Sequence, residues 1–333
     1  MKASVLTDYG SPDFIELKEI EKPTPGDNEV LVKVFAASLN SWDWEILTGE
    51  LLLNRLMAGL LKPDRIRILG CDIAGQVEEV GKNVKQLQTG DEVFGDLSRS
   101  GWGGFAEYVC ARDNALTLKP SGMTFEQAAA VPQAGLLALQ ALTYKEAIQP
   151  AKPDRNLKVL INGAGGGAGT FAVQIAKSFG AEVTGVDSTE KMDTMRSSGA
   201  DHVIDYTQED FTKNGQLYDL IVDMAAHHSI FDYRRSLSPG GIFVMVGGST
   251  VRINQLLFLG PWFSMIGDKK MGLLLHKANK GMAFMKELLE SGKVVPVIDR
   301  RYPLGEVAEA LRYFGDGHAK GKLIIDVAHN DKT

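Results

Sequence analysis

The residue types best placed to do chemistry are one loop and one acid. Asn162–Gly169 read NGAGGGAG, and Gly185–Thr189 read GVDST. A glycine run this dense lets the backbone turn tightly and come close to another group, because no Cβ stands in the way. Elements of the right kind flank it. KVLIN (158–162) has the length of a buried strand. TFAVQIAKSFG (170–180) repeats Phe171, Ile175 and Phe179 on one helical face and stops at Gly180. AEVTGVD (181–187) reads as the next strand and ends in Asp187. A strand, a glycine loop, a helix and then an acid about 20 residues past Gly167 form the dinucleotide-binding fingerprint. Gly165, Gly166, Gly167, Ala168 and Gly169 would admit a pyrophosphate. A helix starting near Gly167 aims its first N–H groups and positive dipole end at that phosphate. An acid at Asp187 accepts hydrogen bonds from both ribose hydroxyls and repels a 2′-phosphate, which favours NADH. Lys191, one turn on, is either a charge that neutralises such a phosphate or a solvated helix lysine.

Other chemistries are thinly represented. Two cysteines, Cys71 and Cys110, are too few for a disulfide framework or a four-cysteine zinc lobe. Both are expected to be small buried hydrophobes. Neither a Ser/His/Asp triad nor a paired-carboxylate signature is evident. His227 and His228 are adjacent, so they cannot share a strand face, and they read as a loop at the cleft edge. A formal net charge of −6 without a basic block argues against a nucleic-acid partner. No apolar run reaches the ~20 residues of a bilayer span. The nearest, LLFLGPWFSMI (256–266), is interrupted by Gly260 and Pro261. MKASVLTDYG, at the start, lacks the apolar core of a signal peptide. These features lead us to expect a reducing, cytoplasmic setting.

The length of 333 residues favours about two domains at ~150 residues each. VLVKVF (30–35), GDEVFGD (90–96) and GGFAEYVCA (103–111) predict short strands between glycine turns, in an irregular, mostly antiparallel domain. TFEQAAAVPQAGLLALQALT (124–143) opens on Thr124 with Gln127 three residues on, a capping-box pattern. From Lys158 onward, strands and helices alternate. KMDTMRSSGA (191–200) predicts a helix, and HVIDY (202–206) and YDLIVDM (218–224) predict strands. SIFDYRRSLSPGG (229–241) predicts a helix with a Pro-Gly stop, and GIFVMVGG (241–248) a strand after it. That alternation implies right-handed βαβ units and a parallel sheet, an α/β fold. Val251–Lys280 is rich in Leu, Met and Phe without strand alternation. MAFMKELLESGKV (282–294) predicts a helix. GKLIIDV (321–327) predicts a strand that returns to the first domain. EILTGELLLNRLMAGLL (45–61) reads as an amphipathic lid over an apolar pocket, or as core.

NGAGGGAGTFAVQIAK (162–177) resembles the N-G-A-S-G-G-V-G-T-F-A-V-Q-I-A-K of the medium-chain dehydrogenase/reductase superfamily. The resemblance runs through essentially the whole chain. It includes ASLN (37–40), ILGCDIAGQVEEVG (68–81), GDEVFG, GGFAEYV, AAAVPQAGLLALQAL (128–142), GADHVIDY (199–206) and HAKGKLII (318–325). Within the superfamily the chain is similar to the zinc-independent quinone oxidoreductase group, which takes in the mitochondrial reticulon-4-interacting reductase. The resemblance implies a Rossmann-type parallel-sheet domain over residues 128–274. It also implies a GroES-like β-rich domain built from 1–127 and 275–333, with the nicotinamide in the cleft between them. The implied activity is hydride transfer from NADH or NADPH to a quinone or an α,β-unsaturated carbonyl, a small apolar acceptor. Relatives are often homodimers. Two alternatives stay open: an alcohol or aldehyde dehydrogenase of the same superfamily, and a protein that holds NAD(P)H without turnover.

Further positions come from the resemblance alone. Ser188 and Tyr206 match residues that help hold a 2′-phosphate in NADPH-dependent relatives. Those relatives usually carry Cys-Ser-Thr where this chain has Asp187-Ser188-Thr189. Asp187 therefore departs from the pattern and turns the expectation toward NADH or dual use. Gly247 and Gly248 match residues near the nicotinamide, and His318, Ala319 and Lys320 match residues that reach the cofactor from the tail. Leu137 stands where relatives often have Thr. Zinc alcohol dehydrogenases of the superfamily carry Cys at the place of Asn40 and Gly-His-Glu at the place of Gly70-Cys71-Asp72. A catalytic zinc needs three protein ligands and an open position, so no metal is expected. Without a Lewis acid an alcohol is hard to deprotonate at neutral pH, and an electron-poor acceptor is the easier partner. Asn40 and Asp43 are the expected catalytic residues, lining the cleft. Asn40 either bonds the cofactor ribose or the acceptor oxygen, or serves its own turn. Solvent is left as the proton source.

Overall fold

Alternating apolar residues from Val30 to Leu39 give the first unit its organising strand, Glu29–Leu39, whose inward side chains are almost wholly buried. The computed structural model describes residues 1–149 and 157–328. They form two units. One holds Met1–Ala134, Ala278–Met282 and the chain from Ile298 onward; the other holds Gly135–Lys277 and Ala283–Val297. In the first, Glu29–Leu39 lies between Lys322–Asp326 and Asp72–Val80, antiparallel to both, and also pairs with Tyr108–Arg112. The sheet continues through Glu92–Asp96 to Thr117–Leu118 on one side and to Ile298–Pro303 on the other. The tail strand thus joins the N-terminal sheet, as its apolar pattern suggested. Thr124 caps Phe125–Ala129, accepting from the Gln127 N–H at 3.2 Å while Gln127 Oε1 accepts from the Thr124 N–H at 3.0 Å.

The second unit is a six-stranded, all-parallel sheet. Its order is His202–Asp205, Glu182–Asp187, Lys158–Asn162, Tyr218–Asp223, Leu237–Met245, Lys270–Leu273. Strand order therefore reverses between Lys158–Asn162 and Tyr218–Asp223, the switch point at which doubly wound sheets bind ligands. Leu160, Val186, Ile221 and Phe243 form its core. The helix Gly167–Ser178 buries Phe171, Val173 and Ile175.

Four expectations need correction. The first boundary falls after Ala134 rather than at 127. The return to the first unit is interrupted: Ala283–Val297, holding most of the helix Met282–Glu290, belongs to the second. Packing explains this. Phe284 stacks on Phe179 with ring centroids 6.1 Å apart, and Gln174 bonds the Val295 backbone through both ends of its amide. The helix after Ser229 stops at Ser236, and Leu237 already pairs with Tyr218 in the next strand. Ser238–Gly241 is a bulge inside that strand, so Pro239-Gly240 marks an irregularity in the sheet. Val251–Lys280 does contain a strand, Lys270–Leu273, after the helix Thr250–Ile266. As for Glu45–Leu61, its helices bury Ile46, Leu47 and Ala58 but leave Leu52, Leu53, Leu56, Leu60 and Leu61 exposed.

Candidate functional site

The glycine loop stands at the switch point of the second unit. Gly163 has φ +83°, a conformation side chains disfavour. A Cβ on Gly169 would lie 2.0 Å from the Gly163 carbonyl oxygen, so this glycine is what lets the helix close onto the loop. A Cβ on Gly165 would lie 2.5 Å from the Lys191 Cβ. Gly166 differs: its Cβ would meet nothing nearer than 3.5 Å. It faces open space at the start of the helix Gly167–Ser178. There the N–H groups of the first turn, Ala168 among them, have no carbonyl four residues back to bond. This cradle fits a pyrophosphate.

Asp187 closes the loop from the side. Its Oδ2 accepts the Gly165 N–H at 2.9 Å and its Oδ1 the Ser188 N–H at 2.9 Å. The Lys191 ammonium stands 3.6 Å from it, with both side chains largely buried. Asp187, Tyr206, Asn162, Gly163, Ala225 and His227 line a cavity of about 300 Å³. Tyr206 is half exposed there. Asn162 donates to Asp223 Oδ1 at 2.8 Å, fixing the strand end beneath the cavity. Gly247 and Gly248 follow the strand Leu237–Met245 and pair with Ala226. Ala226 N–H bonds Gly247 O at 3.0 Å, and a Cβ on Gly248 would lie 2.7 Å from Ala226 O. The structure thus gathers all the expected loop and ribose residues in one unit. His318, Ala319 and Lys320 lie in the other unit, before the strand Lys322–Asp326. There Tyr313 faces the His318 ring and the Lys320 N–H bonds Asp299 at 2.9 Å.

Asn40 and Asp43 belong to a buried polar centre in the first unit. Asp43 accepts the Asn40 N–H at 2.8 Å and the Gly70 N–H at 2.7 Å. Burial pushes its carboxyl up to about 7, against the pull of those two N–H groups. Asn40 is 5% exposed, and its amide is engaged at both ends. Oδ1 accepts from Lys322 Nζ at 2.5 Å; Nδ2 donates to Asp72 at 3.0 Å and reaches Cys71 Sγ at 3.5 Å. An ammonium cannot accept, so Lys322 sets which way the amide points. Asp72 also accepts the Gln133 N–H on both oxygens and the Ser38 hydroxyl. Burial raises Asp72, and the Lys322 charge opposes the rise. Cys71 is fully buried, whereas Cys110 is only partly so.

The donor set gives a test for metal. Cys71, Asp72 and Asp96 each place one ligand atom within 4.8 Å of the others. Yet N–H donors from Asn40 and Gln133 point at Cys71 and Asp72, and the Lys322 ammonium stands 4.0 Å from Asp72. A zinc ion would need the lone pairs these hydrogens occupy, so the residues do not fit one. Sequence reasoning missed Lys322, Gln133 and Asp96 here; His227, read as loop, lines the cavity. A lysine opening the otherwise apolar strand KLII was the available signal for the first.

Residues 26–121 match a family model described as an alcohol dehydrogenase GroES-like domain, and residues 198–325 one described as a zinc-binding dehydrogenase. The chain is 33% identical over 326 residues to the chloroplast envelope quinone oxidoreductase homolog of Arabidopsis thaliana, covering 95% of each. It is 32% identical over 336 residues to that plant's chloroplastic NADPH-dependent alkenal/one oxidoreductase, covering 98% of this chain and 79% of the relative. The quinone oxidoreductase structure from Coxiella burnetii superposes with a TM-score of 0.86 at 29% identity, covering 98% of this chain and 99% of that one.

Proposed function

The chain belongs to the medium-chain dehydrogenase/reductase superfamily, in its quinone oxidoreductase group, and from that premise we propose a metal-free hydride transfer with Asp187 and Lys191 jointly setting the choice of cofactor. It is an NAD(P)H-dependent oxidoreductase of the quinone and enone reductase type. The observation that carries the proposal is the pairing of two features: a cradle that fits a dinucleotide, and a polar centre whose lone pairs are spent on N–H donors.

The cofactor, when bound, supplies the hydride. The chain's residues bind and orient it. Gly165 to Gly169 and the first helical turn hold the pyrophosphate. Gly247 and Gly248, which the resemblance puts near the nicotinamide, let this backbone pack closely against Met224 and Ala226. Asp187, Ser188 and Tyr206 would hold the adenosine ribose. Asp187 keeps lone pairs for a ribose hydroxyl, while Lys191 offsets part of its repulsion of a 2′-phosphate. NADH is favoured and NADPH tolerated. Asn40 and Asp43 act as positioning residues, because their polar atoms are bonded inside their own unit. The proton that completes reduction of the acceptor comes from solvent.

The test is steady-state reduction of a quinone and of a simple enone, each with NADH and with NADPH, with and without a chelator. Turnover that survives the chelator and uses both cofactors supports the proposal. Activity abolished by the chelator refutes the metal-free reading and promotes an alcohol dehydrogenase. Tight cofactor binding without turnover of any acceptor points to a binding protein.

A further inference from the structure

One of the matched family models speaks of zinc, and the polar centre of the first unit has the outline of a metal cage. Cys71, Asp72 and Asp96 converge within 4.8 Å, and all three are buried. A buried carboxylate pair without a compensating cation is costly. Lys322 supplies that cation. Lys322 is 2% exposed; its ammonium donates to Leu39 O at 3.0 Å and to Asn40 Oδ1 at 2.5 Å, and stands 4.0 Å from Asp72 Oδ2 as an ion pair.

We propose that Lys322 is the resident cation of this cluster, and that its ammonium closes the cluster to divalent metals. The inference rests on the metal-free reading above and supplies its cause. Lys322 acts in two ways. Its charge offsets Asp72, which lowers the cluster's demand for a second cation. Its donation to Asn40 Oδ1 turns the Asn40 Nδ2 hydrogens toward Asp72 and Cys71, where a metal would have to bind. Burial lowers the Lys322 ammonium, and the Asp72 carboxylate pulls it back up. Burial, reinforced by nearby carboxylates, raises the Cys71 thiol well above its ordinary range, so the sulfur stays protonated unless a metal displaces the proton.

Lys322→Met keeps much of the stem's volume and removes both effects. The Asn40 amide is then free to turn over, and Asp72 is left short of a positive charge. Asn40 Oδ1, the Asp72 and Asp96 carboxylates and the Cys71 sulfur then offer oxygen and sulfur donors to a borderline cation, with the Gln133 N–H groups left as the remaining competitors. The experiment is Co²⁺ uptake by full-length parent, Lys322→Met, Lys322→Gln and the double variant Lys322→Met/Cys71→Ser. It is read as cobalt per chain after desalting and as the near-ultraviolet thiolate-to-cobalt absorption. Circular dichroism and a thermal melt check the fold.

The expected result is essentially no cobalt on the parent and about one equivalent on Lys322→Met, with a thiolate band that the Cys71→Ser change removes. Lys322→Gln, which keeps donors but not charge, should fall between them. Parent protein that takes up cobalt through Cys71 overturns the proposal. So does a folded Lys322→Met that binds no more than the parent. If both variants misfold in buffer, they are refolded with Co²⁺ present. Rescue supports the proposal, and failure overturns it, because a cluster short of one cation should be completed by another. Chelator-sensitive activity of the parent would defeat the metal-free reading itself. A chelator-resistant parent whose variants still refuse cobalt would defeat only the role of Lys322.

Discussion

Gly166→Ala separates a glycine needed by the fold from one needed by a ligand. At Gly166 the backbone has φ −87° and ψ −178°, an extended conformation open to alanine. The added methyl meets nothing closer than the Gly163 carbonyl oxygen at 3.5 Å, an ordinary contact. The fold should therefore tolerate it. Stability should hold or rise by ~0.4–1 kcal/mol, because alanine has fewer unfolded conformations to lose. If a pyrophosphate lies against this backbone, the same methyl must push it away. Overpacking of that kind costs ~1–3 kcal/mol, or roughly 5- to 150-fold in Kd. Gly169→Ala is the control, since its methyl would sit 2.0 Å from the Gly163 oxygen and 2.7 Å from Ala164. It should destabilise the fold outright. Isothermal titration with NADH and NADPH, alongside thermal melts, reads both effects. A Gly166→Ala protein that melts like the parent and binds both dinucleotides as tightly would show that nothing approaches this backbone. The loop would then be a tight turn and no more.

Two further outcomes follow from charge placement. Lys191→Met removes the cation 3.6 Å from Asp187. It should weaken NADPH by at least about tenfold while changing NADH little, since like-charge juxtaposition costs up to several kcal/mol; equal losses for both cofactors in kcat/KM would contradict that division of labour. Asp43, with its folded value pushed up to about 7 from 3.8, binds its proton more readily in the folded state. Its stabilising contribution is present below about pH 4 and is lost as pH rises to about 7, for a swing of order 4 kcal/mol. Urea titrations at several pH values should show this fall in the parent and a flatter profile in Asp43→Asn. Parallel profiles for the two proteins would place the pH dependence elsewhere.

What the sequence made legible was whatever depends on local periodicity and backbone freedom. Lys158–Asn162, Glu182–Asp187 and the helix between them were readable because their apolar spacing is dictated by one packed face each, and glycine marks the turn directly. Tertiary partners override that signal elsewhere. MAFMKELLESGKV announces a helix but not that Phe284 stacks on Phe179, so its assignment to the first unit failed. The bulge at Ser238–Gly241 looked like a stop signal because Pro-Gly punctuates strands and helices alike. The polar centre was the least legible, and for a physical reason. Asn40, the Cys71-Asp72 pair, Gln133 and Lys322 lie far apart in the chain, and none carries a local pattern that betrays its partners. An absent histidine could suggest that zinc does not fit. Only the fold shows that an ammonium from the tail strand reaches the atoms a metal would need. Hydride transfer to an electron-poor acceptor asks for no Lewis acid. On the proposed reading, the cation of the cluster is covalently attached as Lys322, where a chelator cannot remove it.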